Sequence, residues 1–135
     1  MAGTFQLEIA TPDRLLAREQ VTEAQIPALN GYLGILPGHS PLLAALGTGE
    51  LTFTVDGHTR SLAVDGGFVE VQPNIVRILA DLADKPDEID IAKVEEELLR
   101  VQAALRDPRE LRADIATALN AMKRAQARLA AAKKR

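Results

Sequence analysis

The sequence predicts a β + α chain: an N-terminal antiparallel β-sandwich of about eight to ten short strands, then an antiparallel two-helix hairpin. Three observations carry that prediction. Up to about residue 80 the apolar positions recur with period two and are rich in β-branched residues. Gly, Pro, Asn and Asp punctuate those runs at short intervals. After the linker ADKPDE the apolar spacing changes to three and four. The expected division is a sandwich domain over residues 1–85 and a hairpin domain over residues 86–135.

Taken in order, TFQLEIA, VTEAQIPA, ELTFTV, HTRSLAV, GFVEV and IVRILA have strand character. Asp56-Gly57 falls between two alternating runs and fits a two-residue hairpin, since Gly tolerates the positive φ required there. Asp65-Gly66-Gly67 and Pro73-Asn74 mark further turns. In the first helix, Ile91, Val94, Leu98, Val101 and Leu105 line one face. Asp107 is expected to cap the second helix, with Pro108 at its first position and Glu110 closing a capping box. Its inner stripe is read as Leu111, Ile115, Ala118, Met122, Ala125, Leu129 and Ala132, facing the stripe of the first helix.

The alanine-rich stretch from Ala113 to Ala132 has high intrinsic helicity. Alanine buries little area, so each docked contact is worth little at about 25 cal/mol per Å². A helix stable by itself but weakly docked can leave its partner without melting, so the sequence permits a bistable element. A permanently docked hairpin is the alternative.

Composition narrows the function. The 135 residues are 47% apolar but only 3% aromatic, so the core must be aliphatic. Cysteine is absent, which removes disulfides, thiolate nucleophiles and Cys-based zinc sites. No stretch approaches the roughly 18–20 apolar residues of a membrane-spanning helix, and MAGTFQLEIA lacks a signal pattern, so a soluble chain is expected. The net charge of −3 is unevenly spread: Met1–Asp87 holds 5 bases and 11 acids, Glu88–Arg135 holds 11 bases and 8 acids. From Ile115 onward the bases are Lys123, Arg124, Arg128, Lys133, Lys134 and Arg135, with no acid among them. Such a segment seeks an anionic partner. An acidic chain with a single Tyr and no Trp fits nucleic acid poorly, and an alanine face fits membrane insertion poorly. An acidic protein surface fits best.

Catalytic patterns are lacking. The sequence holds two histidines, His39 and His58, without an HExxH or GxxxxGK[ST] motif. Gly38-His39-Ser40 has no strand–elbow–helix around it, so His39 is read as a loop histidine bonding the backbone and His58 as solvent-facing. No catalytic or metal-binding residue is expected.

The stretch NGYLGILPGHSPLL, residues 30–43, is neither a helix nor a plain strand, yet is too apolar for an idle loop. Here the chain resembles the epsilon subunit of bacterial and chloroplast F-type ATP synthases. Gly31, Gly34-Ile35, Pro37-Gly38-His39 and Pro41-Leu42-Leu43 reproduce that family's G-x-x-G-[IV]-x-P-G-H-x-P-L-L signature, and GGFVEVQPN with VRILAD resembles its last two strands. The resemblance spans nearly the whole chain.

It implies a non-catalytic rotor part of the central stalk, in which the sandwich binds the gamma subunit and rests on the c-ring. Tyr32, Gly34, Pro37, Gly38, His39, Ser40 and Pro41 are then the expected contacts, with Tyr32 in a place the family often fills with an acid. The hairpin is expected to extend into the catalytic head of alpha and beta subunits and block ATP hydrolysis. Lys123, Arg124, Arg128, Lys133, Lys134 and Arg135 would meet an acidic segment of beta. No cofactor is required, but some members bind regulatory ATP through an [IL]-D-x-x-R-A motif. Here the matching residues are Ile89-Asp90-Ile91-Ala92-Lys93-Val94, with Lys and Val replacing Arg and Ala. Asp84, Ile89, Asp90, Lys93, Arg100, Arg124 and Arg128 form the implied site, and lysine lacks the planar fork that grips phosphate, so binding is expected to be weak. The implied location is peripheral, on the cytoplasmic face of the bacterial plasma membrane. A free-standing ATP sensor of the same fold is the second reading.

Overall fold

The computed structural model describes residues 3–107 and 115–133. Eight strands come first: β1 (Phe5–Thr11), β2 (Arg14–Val21), β3 (Glu23–Ala28), β4 (Gly31–Ile35), β5 (Leu42–Ala45), β6 (Thr48–Val55), β7 (His58–Val71) and β8 (Ile75–Asp84). A 3-10 turn at Pro86–Glu88 leads to α1 (Ile91–Arg106) and α2 (Ile115–Ala132). The strands hydrogen-bond in the order β2-β1-β8-β7-β6-β3-β4, with β5 added to β7. The sandwich so formed encloses one core, aliphatic but for Phe5 and Phe53.

Period two explains which residues fill it. Phe5, Leu7 and Ile9 of β1 point inward, as do Leu51 and Phe53 of β6 and Val76, Ile78 and Ala80 of β8. Val69 and Val71 complete this row from β7. Every member of the sandwich core lies between Phe5 and Ala83, so none comes from the helices.

The pairing is antiparallel except at one seam, where β1 runs parallel to β8. β1 and β8 are the first and last strands, so no tight turn dictates their relative direction. The Gln6 N–H donates to the Asn74 carbonyl at 2.9 Å and starts that ladder.

Asp56-Gly57 is the two-residue hairpin the sequence predicts, with φ of 49° and 79° between the paired Val55 and His58. Pro73-Asn74 likewise joins β7 to β8. Asp65-Gly66-Gly67 is not a turn. It lies inside β7, so HTRSLAV and GFVEV are one strand of 14 residues. Up to Asp65 this strand pairs with β6, and from Phe68 it pairs with β5. The two glycines (φ 75° and 119°) make the change of neighbour. A Cβ on Gly67 would stand 2.0 Å from the Leu79 carbonyl oxygen, so only glycine fits there.

NGYLGILPGHSPLL also resolves differently. Residues 31–35 and 42–43 are strand, in β4 and β5, Asn30 is in the turn before β4, and residues 36–41 are loop. The composition concealed β2 as well: RLLAREQV buries only Leu16 and Val21.

Asp90 caps α1, accepting from the Lys93 N–H at 3.2 Å. Val94 is its buried residue, with Ile91 and Leu98 packed beside it, as the stripe predicts. Asp107 is the C-terminal cap of α1; Pro108, Glu110 and Leu111, which the sequence assigns to the start of α2, lie outside the described residues. α2 buries Ala125, Leu129 and Ala132 as expected. Ile115, however, is exposed, and Ala127 and Ala131 are buried although the stripe omits them. The reason is position: α2 lies between α1 and the sheet, against β6 and β7, and so has two covered faces. Ala63 of β7 belongs to this second, smaller apolar cluster.

Candidate functional site

The loop between β4 and β5 is held by one bond to the β7–β8 turn and by two bonds within itself. Gly38, at φ 82°, donates its N–H to the Pro73 carbonyl at 3.1 Å, and the His39 N–H reaches the Leu36 carbonyl at 3.2 Å. The His39 ring presents Nδ1 to the Ser40 carbonyl oxygen at 2.7 Å, which fixes that nitrogen as the protonated one. This is the loop histidine the sequence suggests, and His58 is exposed at the Asp56-Gly57 turn. Gly34 lies in β4, and Pro37, Ser40 and Pro41 frame the loop. Leu36 within it and Leu43 just after it stand out, 61% and 72% exposed.

Tyr32 sits on β4 opposite Pro27, with its ring largely exposed. Its hydroxyl is already engaged: it donates to the Glu50 carbonyl at 3.0 Å and accepts from the Glu50 N–H at 3.2 Å. What Tyr32 offers outward is the ring and not a free hydroxyl.

A second surface was not legible in the sequence. On the outer face of the sandwich, Leu15, Ala10, Leu79, Phe68 and Ala45 are cross-strand neighbours and form an apolar row over five strands. The next row is Arg18, Glu8, Arg77 and Glu70, again in register. Its ion pairs are 3.3 Å (Arg18–Glu8), 3.4 Å (Arg77–Glu8) and 3.3 Å (Arg77–Glu70). The signal in the sequence is the apolar residue at an outward position, Phe68 and Leu79 above all; only register shows that they are adjacent.

The third surface is the basic helix. Asn120, Arg124, Ala127 and Ala131 recur at helical spacing on the side of α2 that meets the sheet. Arg124 Nε donates to Asp65 Oδ2 at 2.6 Å. The other carboxylate oxygen, Oδ1, accepts from the Thr48 hydroxyl at 2.5 Å, and that hydroxyl lies 3.3 Å from the Asn120 amide. One turn on, Arg128 stands 3.2 Å from Asp84 and 3.8 Å from Glu97 of α1. Lys123 and Lys133 are exposed; Lys134 and Arg135 lie outside the described residues. The acid-free stretch thus meets its acids in the fold, from β7, β8 and α1.

The residues expected to hold ATP fall into two groups. Arg100, Arg124 and Arg128 converge on a cavity of about 250 Å³ between the helices, with Glu97, Val101, Ala121 and Ala125. Ile89 is buried in the hairpin cluster, and Asp90 and Lys93 form the start of α1. Arg128 Nε is buried without a well-aligned acceptor, Asp84 being close but off-line. Among the described residues no cluster of three His, Cys, Asp or Glu side chains can hold a metal ion, and no helix is long and apolar enough to cross a membrane.

The linker is fixed to the sandwich. Arg14 grips both Glu88 oxygens at 2.6 and 2.8 Å, and Glu88 also accepts from the Lys85 N–H at 2.8 Å. The Arg14 hydrogen bond, then that of Lys85, holds the Glu88 carboxyl down at about 2, against an ordinary 4.5.

Residues 4–86 match the family model for the beta-sandwich domain of the ATP synthase Delta/Epsilon chain. The ATP synthase epsilon chain of Solibacter usitatus is 53% identical over 135 residues, covering 100% of both chains. That of Koribacter versatilis is 49% identical over 105 residues (78% of this chain, 74% of the relative), and that of Herpetosiphon aurantiacus 45% over 131 (97% and 96%). A chain of the Euglena gracilis mitochondrial ATP synthase, solved with OSCP, F1 and c-ring, superposes with a TM-score of 0.79 at 26% identity, over 97% of this chain and 82% of that one. A chain from the Tetrahymena thermophila central stalk and c-ring shares the fold at a TM-score of 0.54 and 17% identity, over 96% and 94%. By the family model over residues 4–86 and by identities of 45–53% over nearly the whole length of two relatives, this protein belongs to the family of ATP synthase epsilon chains.

Proposed function

We propose that this chain is a non-catalytic rotor subunit of a proton-driven F-type ATP synthase, coupling the head to the c-ring through its sandwich and restraining ATP hydrolysis through α2. The observation that carries the second role is the seam of α2. It is built of alanines and ion pairs, with a single leucine among its five buried residues. Burying a methyl group is worth about 0.8 kcal/mol, so the docked helix is held lightly. Its helicity does not depend on docking.

The sandwich would sit at the foot of the stalk. Tyr32 and the loop from Gly34 through Pro37, Gly38, His39 and Ser40 to Pro41 are proposed to meet the c-ring and gamma. The apolar row of Leu15, Leu79 and Phe68 supports a further contact with gamma, because so much aligned apolar surface favours burial. Lys123, Arg124, Arg128, Lys133, Lys134 and Arg135 are proposed to meet acidic beta-subunit surface when the hairpin extends. As a part of that complex without a spanning helix, the chain would be peripheral, on the cytoplasmic face of a bacterial membrane.

ATP is proposed as an optional, weakly bound regulator rather than a required cofactor. Arg100, Arg124 and Arg128 would hold its phosphates, and the poorly satisfied Arg128 Nε supports a missing acceptor there. The engagement of Arg124 and Arg128 by carboxylates supports low affinity, as does Lys93 in place of arginine. The test is ATP hydrolysis by the cognate head with residues 1–135 or with 1–87, which retains the whole sandwich core. Suppression by the full chain alone supports the reading. Equal rates with both forms remove the inhibitory role.

A further inference from the structure

Two arginines proposed to act on a partner are occupied at home, and the manner of their occupation is specific. Asp65 is the last residue of β7 before the glycine kink, and its carboxylate is mostly covered, 14% exposed. One oxygen takes the Thr48 hydroxyl and the other takes Arg124 through both Nε (2.6 Å) and Nη2 (2.5 Å). Within the sandwich that carboxylate has a hydroxyl as its nearest donor, and among the described residues its cationic partner is Arg124 of α2. Asp84, one strand over and paired with Ala63, receives Arg128. Among the described residues, the charged groups facing these arginines are Asp65, Asp84 and Glu97, with the cationic Arg100 of α1 lining the same cavity.

We propose that Asp65 and Asp84 are resident decoys for the acidic partner: they latch α2 to the sandwich and mask the inhibitory arginines in one act. The inference rests on the reading of Arg124 and Arg128 given above and goes beyond it. Docking and inhibition then exclude each other chemically as well as sterically, because each guanidinium pairs with carboxylates of the docked fold or with those of the partner, Arg124 by hydrogen bonds and Arg128 as an ion pair without an aligned hydrogen bond from Nε. The alanine seam leaves the choice to the charges. Salt weakens the latch, since Arg124 is 43% exposed and its pairing is partly screened.

The experiment uses the full chain, whose lack of cysteine permits a label pair at two exposed positions, Thr59→Cys on β7 and Gln126→Cys on α2. Label separation reports the undocked fraction directly. The double variant Asp65→Asn with Asp84→Asn should raise that fraction about tenfold or more, the scale of losing charged hydrogen bonds. Raising salt from about 50 mM to about 500 mM should raise it in the unaltered chain and leave the variant nearly unchanged. Arg124→Gln, which leaves the strands untouched, should open the hairpin as well. If only the aspartate variant opens, the sandwich is at fault and the latch is wrong. If neither opens, the latch is wrong outright.

Hydrolysis by the cognate head then separates the two ideas. With the latch right, the aspartate variant opens and inhibits more strongly, whereas Arg124→Gln opens and inhibits less. An aspartate variant that opens without stronger inhibition keeps the latch and overturns the inhibitory reading of these arginines.

Discussion

Replacing Ala131 by leucine tests the lightly held seam in the most direct way. Ala131 is fully buried in the cluster that joins α2 to the sheet, and it contributes nothing to the sandwich core. Leucine lowers intrinsic helicity only slightly and adds three carbons at a fully buried position. Overpacking of this kind costs about 1–3 kcal/mol, and in a rigid sandwich it is relieved most easily by letting the helix go. At about 1.4 kcal/mol per factor of ten, a cost near 2 kcal/mol multiplies the undocked population roughly thirtyfold. Because an undocked α2 keeps its own hydrogen bonds, the readout is the separation of labels at Thr59→Cys and Gln126→Cys, with amide hydrogen exchange followed in the strands. The undocked fraction should rise by that factor while the β1, β7 and β8 amides keep their protection. Loss of strand protection together with undocking would refute the independence of the seam. An unchanged undocked fraction would refute the claim that alanine is required there.

Three further outcomes follow from the same geometry. The Glu88 carboxyl is depressed to about 2, so its contribution is fully present above its ordinary 4.5 and is lost as pH falls through 2. Because the pair is more than a third exposed, about 1 kcal/mol is expected. Denaturation midpoints of Glu88→Gln should therefore lie below those of the unaltered chain at pH 7 and converge with them toward pH 2. Gly67→Ala should unfold the sandwich or lower its melting temperature sharply, since the added methyl meets the Leu79 carbonyl in a left-handed backbone; a normal melting curve would contradict the kink. Phe68→Ser with Leu79→Ser should leave stability nearly unchanged, as both side chains are exposed, yet weaken gamma binding at least tenfold in a titration.

Much of the fold was legible where one periodicity ran unbroken. Phe5, Leu7 and Ile9, or Val94 and Leu98, declare a strand and a helix because each has one covered face. Legibility failed where a residue answers to two neighbours at once. α2 is covered on two sides, so Ala127 and Ala131 fall outside any single stripe. Asp65-Gly66-Gly67 has turn chemistry but serves a strand that changes partner. The parallel seam between β1 and β8 depends on contacts across nearly the whole sandwich, which no local pattern encodes.

The site was legible in its residue types and not in its pairings. The acid-free run of α2 pointed to an acidic surface, and charge asymmetry between the halves said the same. That the first acidic surface is the protein's own sandwich follows only from register and packing. Asp65 looked like a turn residue, and nothing in the sequence ties it to Arg124, 59 positions away. The apolar row was hidden for the opposite reason: Leu15, Phe68 and Leu79 read as core until their outward direction is known.

The 14-residue β7 also has a mechanical meaning. Its stretches from His58 to Asp65 and from Phe68 to Val71 are joined through the two glycines as one covalent length. Its far half carries β5, which returns from the loop of residues 36–41, and its near half carries Asp65. Only two residues, Gly66 and Gly67, separate Asp65 from Phe68, where β5 attaches. A twist applied at the loop is therefore borne along bonded backbone and two hydrogen-bonded ladders, and not by apolar layers that slide. The strand acts as a stiff tie rod between the ground end of the molecule and the fastening of its helix. A load on one end has a short, inextensible route to the other.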